Sequence, residues 1–291
     1  MLLMIQYENF LFRVRIMLIM TLILTEITQL GVAMAADSAV TRTISLSGDR
    51  SITRVLTGVQ KLHYIPKINA GISCWGQGNI GPLPMDIWLQ DFILGRINEY
   101  NSLEDFARLL EQELRTVIPP LNEPTDRDLL YGTVGFHLAG ISRYNDQNYP
   151  DFWHIHNGRS QRLEERGEGI NPLLINANHD IPPNIMASLP ENALQLTRNG
   201  DIQIYANLFD LLQGFFETVH TNIGVRFGLT QPLLSERCEW LKFQIEFISN
   251  LYKFSNLIPS IGGQIAILWI EKNGCHGHNI PPLKINVNTR R

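Results

Sequence analysis

Residues 21–37 read TLILTEITQLGVAMAAD, and the fold turns on how they are taken. Thr21 to Ile27 is apolar and β-branched, Thr28-Gln29-Leu30-Gly31 can turn, and Val32 to Ala36 is small and apolar and runs into Asp37. Val, Ile and Thr suit a pleated surface, so the stretch reads as two strands and a turn. A hairpin here brings Thr21 near Asp37, and the rest of the chain can be taken as a frame around that meeting point.

Two readings compete for the residues upstream. In the first, Arg13 and Arg15, the apolar run Ile16 to Leu24, and Ala33-Met34-Ala35 form a secretory signal. Glu26 and Gln29 interrupt its apolar part, and its charges come late. In the second, residues 1–20 are an extension or an upstream start. A chain begun at Met20 then loses its methionine and exposes Thr21 as its first residue. The second reading is preferred. A membrane span is not expected, because Ile16 to Leu24 falls far short of the ~20 apolar residues a helix needs to cross.

The 291 residues are 44% hydrophobic and 18% charged, enough for a large buried core and unlike a disordered chain. A net charge of −4 and the lack of a basic run argue against nucleic acid as a partner. Cys74, Cys238 and Cys275 are an odd, sparse set, which fits reduced thiols in a cytoplasmic protein better than a disulfide framework.

Beyond the hairpin, Thr41 to Leu46 alternates as an edge strand. Lys61 to Cys74 reads as a second hairpin turning at Pro66-Lys67. Trp75 to Pro82 is glycine-rich and reads as irregular. Helical periodicity starts at Met85 and continues through Ile97; a second helix opens at Ser102, with Asp105 at capping-box spacing, and stops at Pro119-Pro120. Thr133 to Ile141 and Phe152 to His156 read as paired strands closed by Asn157-Gly158. Residues 159–199 read as a long irregular insertion. Helices are expected over Asp201 to Val219 and Gln231 to Phe254, then a strand over Gln264 to Ile270 and a polar tail over 275–291. Strand and helix blocks are segregated. The expected architecture is therefore α+β, a four-layer αββα sandwich with two antiparallel sheets between helix layers, in one domain over residues 21–291.

At these residues the chain resembles the proteasome β-subunit group of N-terminal nucleophile hydrolases. Thr21-Leu22-Ile23 with Val32 to Ser38 looks like that family's opening hairpin. Lys61-Leu62 with Ile68 to Ser73 looks like its lysine strand and the next one. Phe136 to Gly140, Trp153 to Gly158, and Ile261-Gly262-Gly263 look like its central pair and the glycine approach to its late strand. The resemblance implies a cytoplasmic threonine hydrolase that cleaves peptide or other amide bonds. It assigns Thr21 as nucleophile and base, Lys61 as electrostatic modulator and Asp37 as its partner, with an oxyanion donor among the backbone N–H groups of Ser73 to Gly76. No cofactor and no metal are implied. The partners implied are a peptide or amide substrate, further copies of the chain in a homo-oligomer, and an ATPase. The chemistry is intelligible: a Thr hydroxyl is a poor nucleophile until its own α-amine, with an ordinary pKa of about 7.7–8.0, takes its proton.

The chain departs from the family pattern at three places. The interval from Asp37 to Lys61 is long, Ile258 stands where a supporting Asp belongs with Ser260 nearby, and no Ser is evident near Gly200-Asp201. These departures keep open a non-peptidase amidohydrolase, a catalytically inactive structural subunit and, from Ala33-Met34-Ala35, a secreted binding protein. His154 and His156 share a strand face and Cys275-His276-Gly277-His278 is dense in donors, but the spacing matches no closed tetrahedral zinc site.

Overall fold

The computed structural model describes residues 21–45, 51–118, 133–157, 174–190, 193–201, 204–224 and 233–284. In chain order the strands are β1 (Leu22–Thr28), β2 (Gly31–Ala36), β3 (Val40–Ser45), β4 (Ser51–Leu56), β5 (Leu62–Ile65), β6 (Ala70–Gly76) and the short β7 (Asn79–Ile80) and β8 (Leu83–Pro84). Helices α1 (Met85–Gly95) and α2 (Leu103–Val117) follow, then β9 (Val134–Tyr144), β10 (Gln147–His156) and β11 (Asn176–Ile181). The chain continues through α3 (Pro183–Ser188), β12 (Leu194–Gly200), α4 (Tyr205–Ile223), α5 (Leu234–Phe254), β13 (Ala266–Glu271) and β14 (Gly274–His278).

The opening hairpin forms as its residues suggest. β1 and β2 pair antiparallel from Ile23↔Ala36 to Thr28↔Gly31, leaving Gln29 and Leu30 at the turn. The pair is buried along its whole length because it lies inside a five-stranded sheet ordered β12-β1-β2-β13-β14. Side chains alternate across the sheet. Leu22, Leu24, Ala33 and Ala35 pack against Cys238, Leu241, Ile245 and Ile248 of α5. Ile23, Ile27, Val32 and Met34 face the other way, onto Ala139 and Phe152 of a second sheet. Each fully buried Leu or Ile contributes roughly 1.5–3 kcal/mol, so the hairpin is a large share of the core.

The second sheet is ordered β11-β10-β9-β6-β5. Its far face carries Ile72, Phe136, Leu138 and Ile155 against α1 and α2, whose Leu89, Phe106 and Leu110 complete that cluster. Ser102 caps α2 as its sequence suggests, its Oγ accepting from the Asp105 N–H at 3.1 Å.

The expected four-layer αββα sandwich is not what forms. The fold is mixed α+β, and every strand pairing among the described residues is antiparallel. The strands divide among four sheets, two of five strands and two of two. The β3–β4 ribbon stands apart from the large sheets, and α3 breaks the layering. Its Met186 joins Ile23, Met34 and Phe152 in one apolar cluster, so a helix takes part in the core between the sheets.

Three further readings are corrected. Residues 159–199 are not structureless: β11, α3 and β12 lie in or across them, and residues 158–173 and 191–192 lie outside the described residues. The β9–β10 hairpin closes at Asn145-Asp146, not at Asn157-Gly158. Both turn residues have positive φ, 48° and 64°, a backbone state that Asn and Asp tolerate in two-residue hairpins. Asn157 instead accepts the Val134 N–H on its side chain at 2.7 Å, pinning the open end of the hairpin. The start of the tail is a strand, β14, paired with β13.

Candidate active site

The hairpin register does what the sequence suggests. The Asp37 N–H donates to Leu22 O at 3.2 Å, one step past the last β1–β2 pair, and this sets the Asp37 carboxylate beside Thr21. Oδ1 of Asp37 accepts from the Leu22 N–H at 3.0 Å, from Thr21 Oγ1 at 3.3 Å and from Lys61 Nζ at 2.8 Å. Oδ2 accepts from the N–H groups of Ala39 and Gly262, each at 3.1 Å. Five donors thus fix one carboxylate. Thr21, Asp37 and Lys61 are 0%, 1% and 4% exposed, so the ion pair is shielded from solvent screening. Lys61 also donates to Ala39 O. All three residues assigned from the sequence come together.

The long interval between Asp37 and Lys61 has a simple explanation. β3 and β4 pair from Val40↔Leu56 to Ser45↔Ser51, folding the extra length back on itself. The ends of the ribbon meet where the Val59 N–H donates to Ser38 O at 3.2 Å, so Lys61 returns to Asp37 despite the added chain.

The late supports differ from the family pattern. Ile258 is 50% exposed and apolar. Ser260 is buried, but no hydrogen bond joins it to Thr21 among the described residues. What the glycine stretch does supply is the Gly262 N–H on Asp37 and the Gly262 carbonyl, which accepts from the Ser38 N–H at 3.1 Å. The pattern Ile-Gly-Gly could be read from sequence, but not that its backbone would hold Asp37. Asp201 caps α4 through the N–H groups of Ile204 and Tyr205 and accepts the Tyr252 hydroxyl at 3.1 Å. Just before it, Gly200 (φ 117°) lies against Thr21, and a Cβ there would overlap the Thr21 carbonyl oxygen. Gly200→Ala is therefore expected to cost on the order of 2 kcal/mol or more, read as a fall in the midpoint of urea unfolding. An unchanged midpoint would mean that the strand end can move away from Thr21 freely.

Behind the triad lies a polar strip that sequence reasoning set aside. His137 of β9 stands opposite His154 of β10, their rings 5.0 Å apart, and His156 lies 4.0 Å beyond His154. Asn199 Oδ1 can only accept, so His137 Nε2 carries the proton and donates to it at 2.6 Å, while Nδ1 accepts from Thr25 Oγ1 at 2.9 Å. Burial pushes the pKa of His137 down to about 4, and that of His63 on β5 also to about 4. Burial and the neighbouring imidazoles of His156 and His137 hold His154 well below the ordinary range. Between pH 6.5 and about 4 the unfolded chain binds protons at His63 and His137 that the folded chain refuses. Stability is expected to fall as pH drops through that window, by up to about 1.4 kcal/mol per pH unit for each histidine. Unfolding midpoints at pH 7.5, 6 and 5 read the slope, and His137→Asn should reduce it. A slope unchanged by that substitution would contradict the buried-neutral state of His137.

Beneath β1, Glu26 and Arg237 form a second buried pair at 2.6 Å. Burial pushes the Glu26 carboxyl up while Arg237 opposes it. Burial also pushes the Cys74 thiol up to about 12, which holds it in the neutral thiol form. Among the described residues no group of three or more His, Cys, Asp or Glu could hold a metal ion, and no helix is long and apolar enough to cross a membrane. The tail residues His276 and His278 lie beside Trp269 instead.

Comparison of the chain with protein-family models finds no match, and no curated protein matches it significantly.

Proposed function

We propose that this chain is a threonine hydrolase that cleaves peptide or other amide bonds, with Thr21 as nucleophile. The observation that carries the reading is the Asp37 carboxylate, which binds the Thr21 hydroxyl and the Lys61 ammonium through the same oxygen. In the 291-residue chain the nitrogen of Thr21 is an amide. With residues 1–20 absent it becomes a free α-amine next to its own hydroxyl.

The steps follow from that arrangement. The amine, kept neutral by the like charge of Lys61, takes the Oγ1 proton. Oγ1 then attacks the substrate carbonyl. The oxyanion requires a preorganised N–H. Along β6, successive N–H groups point to opposite neighbours. The Cys74 N–H faces β5 and donates to Lys61 O at 2.9 Å, so the Gly76 N–H falls on the same edge, beyond the start of β5. Gly76 is the donor this geometry favours within Ser73 to Gly76. The protonated amine delivers its proton to the leaving nitrogen, the C–N bond breaks, and an ester on Thr21 remains. Water activated by the same amine then hydrolyses that ester and restores the hydroxyl.

On this reading the chain is a distant relative of the proteasome β-subunit group, works in the cytosol and acts as an oligomer. Its three free cysteines support the compartment. A second reading, a non-catalytic assembly subunit, is favoured by one observation: in the full chain Thr21 is completely buried. The N-terminus of the protein isolated from its own source, read by intact mass and N-terminal sequencing, separates the two. A chain beginning at Thr21 supports the hydrolase. A chain that keeps residues 1–20 supports the assembly subunit, and one beginning after Ala35 would sink both.

A further inference from the structure

A pocket of about 400 Å³ is lined by none of Thr21, Asp37 and Lys61. Its walls come from three segments: the end of β5 with the turn Pro66–Ile68, the end of α1 with the residues that follow it, and the tail from Ile280 to Leu283. Ile65, Ile93 and Tyr100 are buried walls, whereas Lys67, Ile97 and Pro281 are exposed, so the pocket opens to solvent. Its volume lies within the ~300–1,000 Å³ of small-molecule sites. The tail wall is tied down. Gln60 Nε2 donates to Pro281 O, and the Lys284 N–H donates to Gln90 Oε1, each at 3.4 Å.

The walls offer a ligand almost no hydrogen bonds. The Tyr64 hydroxyl donates to Asn69 Oδ1 at 3.0 Å, and the Tyr100 hydroxyl to Ile93 O at 3.1 Å. Pro66, Pro281 and Pro282 have no N–H to give. Lys67 is the exception. Its Nζ donates to Ile97 O at 2.6 Å and lies 5.3 Å from the Tyr100 ring centroid, which fixes the ammonium at the pocket wall. One of its three N–H donors is thereby used. Among the described residues no carboxylate pairs with it, and Glu99, beside Tyr100 in sequence, pairs with Arg96 at 2.9 Å.

We propose that this pocket binds a medium-chain monocarboxylate, with the carboxylate on Lys67 and the apolar chain against Ile65, Ile93 and Tyr100. The inference stands apart from the hydrolase reading. One ammonium balances one negative charge, and a phosphate dianion would stay half neutralised. An extended peptide needs partners for its backbone, which three proline walls do not donate to; a hydrocarbon chain needs none.

The test is calorimetric titration of the full chain with octanoate, hexanoate and octan-1-ol. Octanoate should bind about tenfold or more tightly than octan-1-ol, the effect of hydrogen bonding to a charged group. It should also exceed hexanoate by roughly tenfold, from two further buried CH2 groups. Lys67→Met keeps the aliphatic stem, removes the ammonium and should erase the preference for the acid. Leu94→Trp, at a half-buried wall position, should fill the pocket and abolish binding of both. Circular dichroism checks that each variant folds. No binding of octanoate, equal affinities for acid and alcohol, or binding that survives both substitutions unchanged overturns the proposal. Tighter binding of N-acetyl-alanyl-leucine than of octanoate would overturn it in favour of a peptide terminus.

Discussion

Thr21→Ala, made in a chain that begins at residue 21, is expected to lower amide hydrolysis on the order of 10³-fold or more and to leave the fold intact. The substitution removes the hydroxyl that forms the ester in the proposed mechanism. It keeps the amine, the Asp37–Lys61 pair and the β1–β2 register, because among the described residues the Thr21 side chain makes one hydrogen bond, to Asp37 at 3.3 Å. Thr21→Ser keeps the hydroxyl and should retain most of the activity. Hydrolysis of a fluorogenic peptide amide by the three proteins gives the ratio. If Thr21→Ala is as active as the parent, any hydrolysis comes from elsewhere in the protein or from a contaminant.

The second large effect concerns stability. Asp37→Asn replaces an acceptor of five hydrogen bonds with a group that has one acceptor oxygen and an NH2 facing donors. It also leaves the Lys61 ammonium buried without its anion. Loss of one partner of a buried pair costs about 3–5 kcal/mol. Native domains have only about 5–15 kcal/mol in all, so the variant is expected to unfold near ambient temperature or to be recovered in small yield. Lys61→Met alone should be costly for the mirror reason. The double variant should cost less than the two single costs added, because neither charge is then stranded. Unfolding midpoints of the four proteins complete the cycle, and strict additivity would show that Asp37 and Lys61 are not coupled.

Much of the site was legible because it depends on one short-range hairpin. A turn at Thr28 to Gly31 fixes the register, and the register alone carries Thr21 to Asp37. Lys61 was legible as the residue before an apolar hairpin, although the ribbon that returns it was not read: Ser51 to Leu56 carries strand-forming Ile, Thr and Val, and only its pairing with Val40 to Ser45 shows that it brings the chain back. The four-layer architecture was misjudged for a different reason. Residues 174–200 are rich in Asn and Pro and lack a clear period, yet Ile181 and Met186 still find apolar burial, and they find it between the sheets. Periodicity cannot show which open side of a core a short helix will enter. The histidine strip was half legible. His154 and His156 alternate on one strand, but His137 joins them only if the turn is placed at Asn145-Asp146, from which the strand pairing counts back to His137↔His154. Placing the turn at Asn157-Gly158 hid that pairing.

The central claim is that Thr21 presents a free amine and an activated hydroxyl at the same carbon. Peptide epoxyketones test both together, because ring closure on such a residue consumes the hydroxyl and the amine. The protein isolated from its own source is incubated with the reagent, digested and analysed by mass spectrometry. One adduct, on the peptide beginning at Thr21, is the expected result, with none in Thr21→Ala. A peptide that runs unmodified through Met20 into Thr21, or a free N-terminal Thr21 that takes up no reagent, would contradict the claim.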